Sequence, residues 1–324
     1  MRWADYIASV ALAPLIGVSL SNSVASGLNA FDVKSTPAAL APPVKTGETR
    51  EYHFAPRDFR RIRQLIHERA GIWLSNAKQD MVYGRLARRL RVRGLQRFSE
   101  YLAILEGGDE AEWEAFTNAL TTNLTAFFRE EHHFPLLAEH VTTVAKRRPA
   151  RLWCCASSTG EEPYSIAIAL VETFGSFTPP ISILATDVDT QVLKKAETGV
   201  YALDRLEKMG PVRAKRFFLR GKGVQSGYVR VRPELRNLVS FKRINLLDEA
   251  WPVHGPFDAV FCRNVLIYFD RATQSAILSR FAPLLGVDGL LFVGHSESLF
   301  HISDLFRLRG KTVYELAKPL ARQG

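Results

Sequence analysis

Apolar positions recur at helical spacing up to about residue 120 and fall into short runs thereafter. Pro56 and Asp58 open a stretch in which Phe59, Ile62, Leu65 and Ile66 recur every three or four residues, the spacing of one buried helix face. A second helix is predicted over about Ala77 to Arg93. Val82, Tyr83, Leu86 and Leu90 share one side of it, while Arg85, Arg88, Arg89 and Arg91 fall on the other. Gly94 follows where a C-cap glycine belongs. A third helix is expected from Phe98 to Leu105 and a fourth from near Asp109. From about Arg151, short apolar runs (Leu152–Ala156, Ile181–Ala185, Val239–Ile244, Phe257–Cys262, Gly289–Gly294) alternate with helical stretches over about Pro163–Phe174 and Thr190–Glu197. That alternation predicts an α/β fold with a doubly wound parallel sheet. Such sheets bind ligands at the carboxyl ends of their strands.

Residues 1–50 read differently. Their apolar run, Ile7 to Leu20, is interrupted by Pro14 and Gly17 and is too short to span a bilayer. Only Arg2 precedes it as a basic flank, and residues 35–50 are rich in Pro, Ala and Thr. This segment is expected to be a disordered or mis-started tail and linker. Residues 51–120 are then an all-helical domain, and residues 121–324 an α/β domain. Hydrophobic residues make up 47% of the 324, which excludes a wholly disordered, collagen-like or multi-span membrane chain. Three cysteines make no disulfide framework, and Cys154, Cys155 and Cys262 read as core residues. The net charge of +10 is concentrated: Arg57 to Arg97 hold 12 Lys/Arg against Asp58, Glu68 and Asp80. Four arginines on one helix face repel one another. They form either a solvated surface or a face built for an acidic partner.

Three motifs carry chemistry. Ala156-Ser157-Ser158-Thr159-Gly160-Glu161-Glu162-Pro163 joins a strand to a helix. A dinucleotide needs a glycine-rich turn with its pyrophosphate at the helix N-terminus. Here two acids stand at that place, so the turn favours a cationic ligand without phosphates, and S-adenosylmethionine fits. The alternative is an ordinary helix start, where acids suit the dipole. Asp187, 27 positions after Gly160 at the next strand end, suits the two ribose hydroxyls of a nucleoside or a plain turn. Phe257–Tyr268 is a central strand that delivers Arg263 and Asn264 to its carboxyl end. His132-His133 lacks partners at metal spacing, so no metal is expected. His295-Ser296-Glu297 reads as a strand end lining the pocket floor, since no nucleophile elbow accompanies it.

Together the stretches LTTNLTAFFRE (120–130), ASSTGEEPYSIAIAL (156–170), ATDVDTQVL (185–193), INLL (244–247), FDAVFCRNVLIYFD (257–270) and GLLFVGHSESL (289–299) resemble the CheR family of chemotaxis receptor methyltransferases. The resemblance covers nearly everything from residue 52 onward. It implies a Rossmann-like S-adenosylmethionine-dependent methyltransferase domain preceded by a small all-α domain. A small antiparallel β-subdomain is implied at about 217–241. It also implies methyl transfer to glutamate side chains of receptors in the cytoplasm, with S-adenosylhomocysteine as product. Asn123, Thr125, Arg129, Glu162, Asp187, Asn245, Leu246, Arg263 and Asn264 are the implied cofactor contacts. Arg129 and Tyr268 are the residues expected beside the transferring methyl, Tyr268 either acting on the carboxylate or only lining the pocket. Acidic receptor helices are expected on the face of Arg85, Arg88, Arg89 and Arg91. A receptor C-terminal pentapeptide is expected on the loop of Gly221, Gly223 and Gly227, with no nucleic acid and no membrane insertion. Two other readings remain at this point: a nucleic-acid methyltransferase, and a non-catalytic S-adenosylmethionine-binding module.

Overall fold

A computed structural model describes residues 50–299 and 304–317, so the expected tail of residues 1–50 lies outside the described residues but for Arg50. Four helices come first: α1 (Pro56–Ala70), α2 (Gln79–Arg93), α3 (Phe98–Glu106) and α4 (Glu110–Leu120). The predicted apolar stripes meet. Ile62 and Ile66 of α1, Val82, Leu86 and Leu90 of α2, Phe98 and Tyr101 of α3 and Phe116 of α4 are all buried in one core. Asp58 accepts the Ala55 N–H at 2.9 Å and starts α1, and Asp109 caps α4 through the Glu112 N–H. Gly94 ends α2 at φ 66°, a left-handed conformation that glycine adopts without a Cβ clash.

The rest of the chain is a seven-stranded sheet with helices. Its strands are β1 (Ala150–Cys155), β2 (Ile181–Asp187), β6 (Val239–Arg243), β7 (Phe257–Cys262), β8 (Leu285–Val293), β9 (Phe306–Gly310) and β10 (Val313–Leu316). The order β6-β2-β1-β7-β8-β10-β9 is parallel from β6 to β8. The last two strands turn back antiparallel, so the sheet is mixed rather than wholly parallel. The chain leaves β1 toward β2 on one side and later adds β7 on the other, which makes the β1/β7 boundary the switch point. All six residues of β7 are buried, as a strand covered on both faces requires. Helices α5 (His133–Ala145), α6 (Glu161–Phe174), α7 (Thr190–Thr198) and α10 (Arg271–Phe281) accompany these strands.

The antiparallel subdomain is placed differently from expectation. Its three strands are β3 (Val200–Ala202), β4 (Phe218–Arg220) and β5 (Tyr228–Val231), in the order β3-β5-β4. It therefore begins before residue 217, with α8 (Pro211–Phe217) and then α9 (Pro233–Arg236) beside it, and Val239–Arg243 belongs to the large sheet. The apolar run at 239–244, read with the runs of the parallel sheet, does pair parallel with β2, so the subdomain ends before it. The Gly221–Gly227 loop contains a short helical turn at Gly223–Gln225.

The arginine face of α2 also differs. Arg85 donates to the Ala119 and Thr121 carbonyls. Arg89 binds the buried Glu112 through two hydrogen bonds, and Arg91 binds Glu51 through three. The repulsion foreseen within the helix is relieved by acids and carbonyls from other segments, and Arg88 is the exposed member of the four without a partner among the described residues.

Candidate active site

Segments that leave the carboxyl ends of β1, β2, β6 and β7, with the α1–α2 connection and residues 121–129, line a cavity of ≈ 250 Å3. After β1 the backbone turns through left-handed Ala156, Ser158 and Gly160. A Cβ on Gly160 would stand 2.7 Å from the Tyr201 hydroxyl and 2.8 Å from Ala196, so close packing demands this glycine. The two acids that follow separate. Glu161 is buried and binds Arg205 at 2.6 Å, and Arg205 also holds the Thr125 carbonyl. Glu162 instead lines the cavity, with Oε2 2.9 Å from Arg263 Nη1 and Oε1 accepting from Cys154 Sγ at 3.3 Å.

Asp187 closes β2. Its two oxygens accept the N–H groups of Ser158 and Asp189, at 2.8 and 2.9 Å. Burial outweighs those bonds and pushes its carboxyl up to about 6. Burial likewise raises Glu162, against the opposing pull of Arg263. Beyond β7, Asn264 sits at φ 56° and Arg263 is 4% exposed, its guanidinium shared between Glu162, Glu130 at 3.4 Å and the Arg129 carbonyl.

All ten site residues read from the sequence line this one cavity: Asn123, Thr125, Arg129, Glu162, Asp187, Asn245, Leu246, Arg263, Asn264 and Tyr268. Two of them also carry structural duties that the sequence did not suggest. The Asn123 amide donates to Asp189 Oδ2 and Thr121 Oγ1, strapping residues 121–125 to the α7 cap. The Asn245 amide donates to the Arg69 carbonyl at 2.8 Å, joining the pocket to the end of α1. Arg129 donates to the Leu124 carbonyl at 3.2 Å.

Sequence reasoning missed two contributions and misplaced a third. Glu130 receives His295 Nδ1 at 2.9 Å and faces Arg263; burial pushes its carboxyl up, but the His295 bond and the Arg263 charge win and hold it at about 2. Its signal was indirect: a buried Arg263 needs an acid. Glu297 is not among the cavity's lining residues, which corrects its reading as part of the floor. It lies behind the turn after β7, where it accepts backbone N–H groups. Ile72, Trp73 and Leu74, from the α1–α2 connection, line the cavity, and the Trp73 N–H donates to the Tyr268 carbonyl. No spacing in the sequence announces that contact, because it depends on how two folded units meet.

The donor set suits S-adenosylmethionine. Acids at Glu162 and Asp187 face the cavity where a phosphate would need N–H groups and cations, and Ile244, Leu246, Val265 and Phe269 supply an apolar slot for a base. The buried Arg263 Nε has no hydrogen-bond partner among the described residues. Glu130, His132 and His133 also bring ligand-type atoms within 4.8 Å of one another, a grouping not foreseen in the expectation of no metal. Arg263 already stands 3.4 Å from the same carboxylate, so a metal ion there would compete with a fixed cation.

Residues 123–315 match the family described as "CheR methyltransferase, SAM binding domain", and residues 57–121 match "CheR methyltransferase, all-alpha domain". The chemotaxis protein methyltransferase of Salmonella typhimurium is 56% identical over 81% of this chain and 91% of its own length. That of Escherichia coli is 56% identical over 80% and 91%. Chemotaxis protein methyltransferase 2 of Pseudomonas aeruginosa is 53% identical over 82% and 95%.

Proposed function

The chain belongs to the CheR methyltransferase family, and from that membership we propose how its pocket works. It is an S-adenosylmethionine-dependent methyltransferase of chemotaxis, and the acceptors are glutamate side chains of chemotaxis receptors. The observation that carries the reading is the convergence of Glu162, Asp187, Arg263 and Tyr268 on one cavity at the switch point of the sheet. S-adenosylmethionine supplies a methyl on a sulfonium; an O–C bond forms as the C–S bond breaks, leaving a methyl ester and neutral S-adenosylhomocysteine.

A glutamate carboxylate is ionised at pH 7, so no proton has to move and no base is needed. Carboxylate and sulfonium neutralise each other, which leaves no charge for a metal to stabilise. Glu162 and Asp187 are assigned to the methionine ammonium and the ribose, Asn123 and Thr125 to the cofactor's rim, and Asn245 and Leu246 to the adenine edge. Arg263 and Asn264 fix the cofactor from the β7 side. Arg129 and Tyr268 orient the incoming carboxylate, Arg129 by paired hydrogen bonds, so that catalysis rests on alignment and exclusion of water.

The helical unit offers its positive charge to acidic receptor helices, with Arg88 unpaired among the described residues on the α2 face and Arg85, Arg89 and Arg91 shaping the field around it. The Gly221–Gly227 loop, with Val224 97% exposed, is assigned to a receptor's C-terminal pentapeptide. The reaction is assigned to the cytoplasm; no helix of the described residues is long and apolar enough to cross a membrane.

The test is incubation with methyl-labelled S-adenosylmethionine and receptor cytoplasmic fragments. Base-labile label on glutamates is expected. Label on DNA or RNA instead would establish the nucleic-acid reading, and failure to bind S-adenosylhomocysteine would sink both. Deletion of the Gly221–Gly227 loop should abolish pentapeptide binding and leave methylation of untethered fragments intact.

A further inference from the structure

We propose that Glu297 is a positioning residue of the reaction, holding from behind the cavity the backbone turn that presents Arg263, Asn264 and Tyr268. The proposal rests on the reading that those three meet cofactor and substrate.

Glu297 follows β8 and is 5% exposed, yet it forms no ion pair among the described residues. A buried carboxylate without a cation is costly unless hydrogen bonds take its charge. Here backbone N–H groups offset part of that cost, although burial still raises the carboxyl. Oε2 accepts from Gly294 at 2.6 Å and from Asn264 at 2.8 Å, and Oε1 from Ile267 at 3.3 Å.

The donors explain why the acid is there. β7 ends at Cys262, and beyond it the chain bends through the left-handed Asn264 into a short helical turn at Leu266–Tyr268. N–H groups in such a bend have left the strand ladder and need other acceptors. One carboxylate collects two of them and ties them to the end of β8. Gly294 makes the approach possible: a Cβ there would stand 2.4 Å from Asn264 Nδ2 and 2.7 Å from Glu297 Oε2. Glu297 touches no cavity surface, so its effect passes through the position of Asn264 and the Tyr268 turn. Displacement of about 1 Å in a reacting site costs on the order of a hundredfold in rate.

Glu297→Gln keeps the shape but turns an amide NH2 toward N–H donors. It should lower kcat at least about tenfold and weaken S-adenosylhomocysteine binding several-fold, with the receptor KM unchanged because receptor docking is assigned to the helical unit and the Gly221–Gly227 loop, away from this turn. Asp258→Asn is the control. Asp258 is equally buried at the opposite end of β7 and holds Arg148, so its loss should lower Tm while leaving kcat per folded molecule intact. Wild-type kcat and affinity in Glu297→Gln, or an equal loss in Asp258→Asn, would overturn the proposal. Hydrogen exchange on the unaltered protein gives a second measurement: the Gly294 and Asn264 amides should be strongly protected, and fast exchange there would also overturn it. An unaltered protein that binds no S-adenosylhomocysteine would instead refute the functional reading itself.

Discussion

Arg91 on α2 and Arg263 after β7 each face a carboxylate at close to the same distance, 2.7 Å to Glu51 and 2.9 Å to Glu162. Their surroundings differ. The Arg91 and Glu51 side chains are 55% and 48% exposed, whereas those of Arg263 and Glu162 are 1% and 11% exposed. Water screens the first pair, and either partner can leave without stranding a charge. In the second, three groups depend on one another, because Arg263 also neutralises Glu130. Ion-pair length therefore says little about role; burial decides whether an arginine shapes a surface or builds a site.

The largest expected effect is at the buried corner. Arg263→Ala leaves Glu162 and Glu130 uncompensated and should destabilise the fold by about 3–5 kcal/mol, with methyl transfer lost. Denaturant unfolding and turnover measured together check this; a stable, active variant would erase the contrast with Arg91. Arg129→Ala should reduce turnover by more than about tenfold with normal unfolding, and near-normal rates would remove Arg129 from the reacting set.

Acidification should act next. Below about 6 Asp187 takes a proton and loses acceptor capacity, so S-adenosylhomocysteine affinity should fall between pH 7 and pH 5. Asp187→Asn should flatten that profile, and an unchanged slope would point to another group. Stability runs the other way. The folded state holds this proton more tightly than the unfolded one, so the Asp187 contribution is fullest below its ordinary 3.8 and is lost as pH rises through about 6.

The smallest effects lie on the helical surface. Arg88→Glu should raise the receptor KM several-fold, more at low salt than at high, without changing kcat or cofactor affinity. Arg91→Ala should leave Tm within about 2 °C of its starting value. A large loss there would show that the exposed pair is structural after all.

Much of this was legible because single segments carried it. The stripe of Val82, Leu86 and Leu90 predicted α2 and its buried face, and Gly94 its end. The apolar run Phe257–Cys262 predicted β7, and with it the delivery of Arg263 and Asn264 to the cavity. What was not legible depends on segments far apart in sequence. Val239–Ile244 read as a strand of the parallel sheet yet also overlapped the implied subdomain at 217–241, and the pairing of Val239–Arg243 with β2 decides for the sheet. Glu112 and Glu51 neutralise arginines of α2 from 23 and 40 positions away, and Glu130 and Glu297 reach the β7 turn from either side of the chain. Periodicity reports which face a residue takes, but not which stranger it meets there.

The position of Glu297 also sets a clock on synthesis. A ribosome delivers the cavity's residues from Ala70 to Phe269 first, and the acid that ties down the last turn comes more than 25 positions later. A nascent chain that has exposed residues 50–270 carries the whole lining but lacks the clamp on Asn264. Truncation just before β8 would keep every lining residue in the chain but would remove Glu297 together with β8, β9 and β10, leaving β7 at the edge of the sheet.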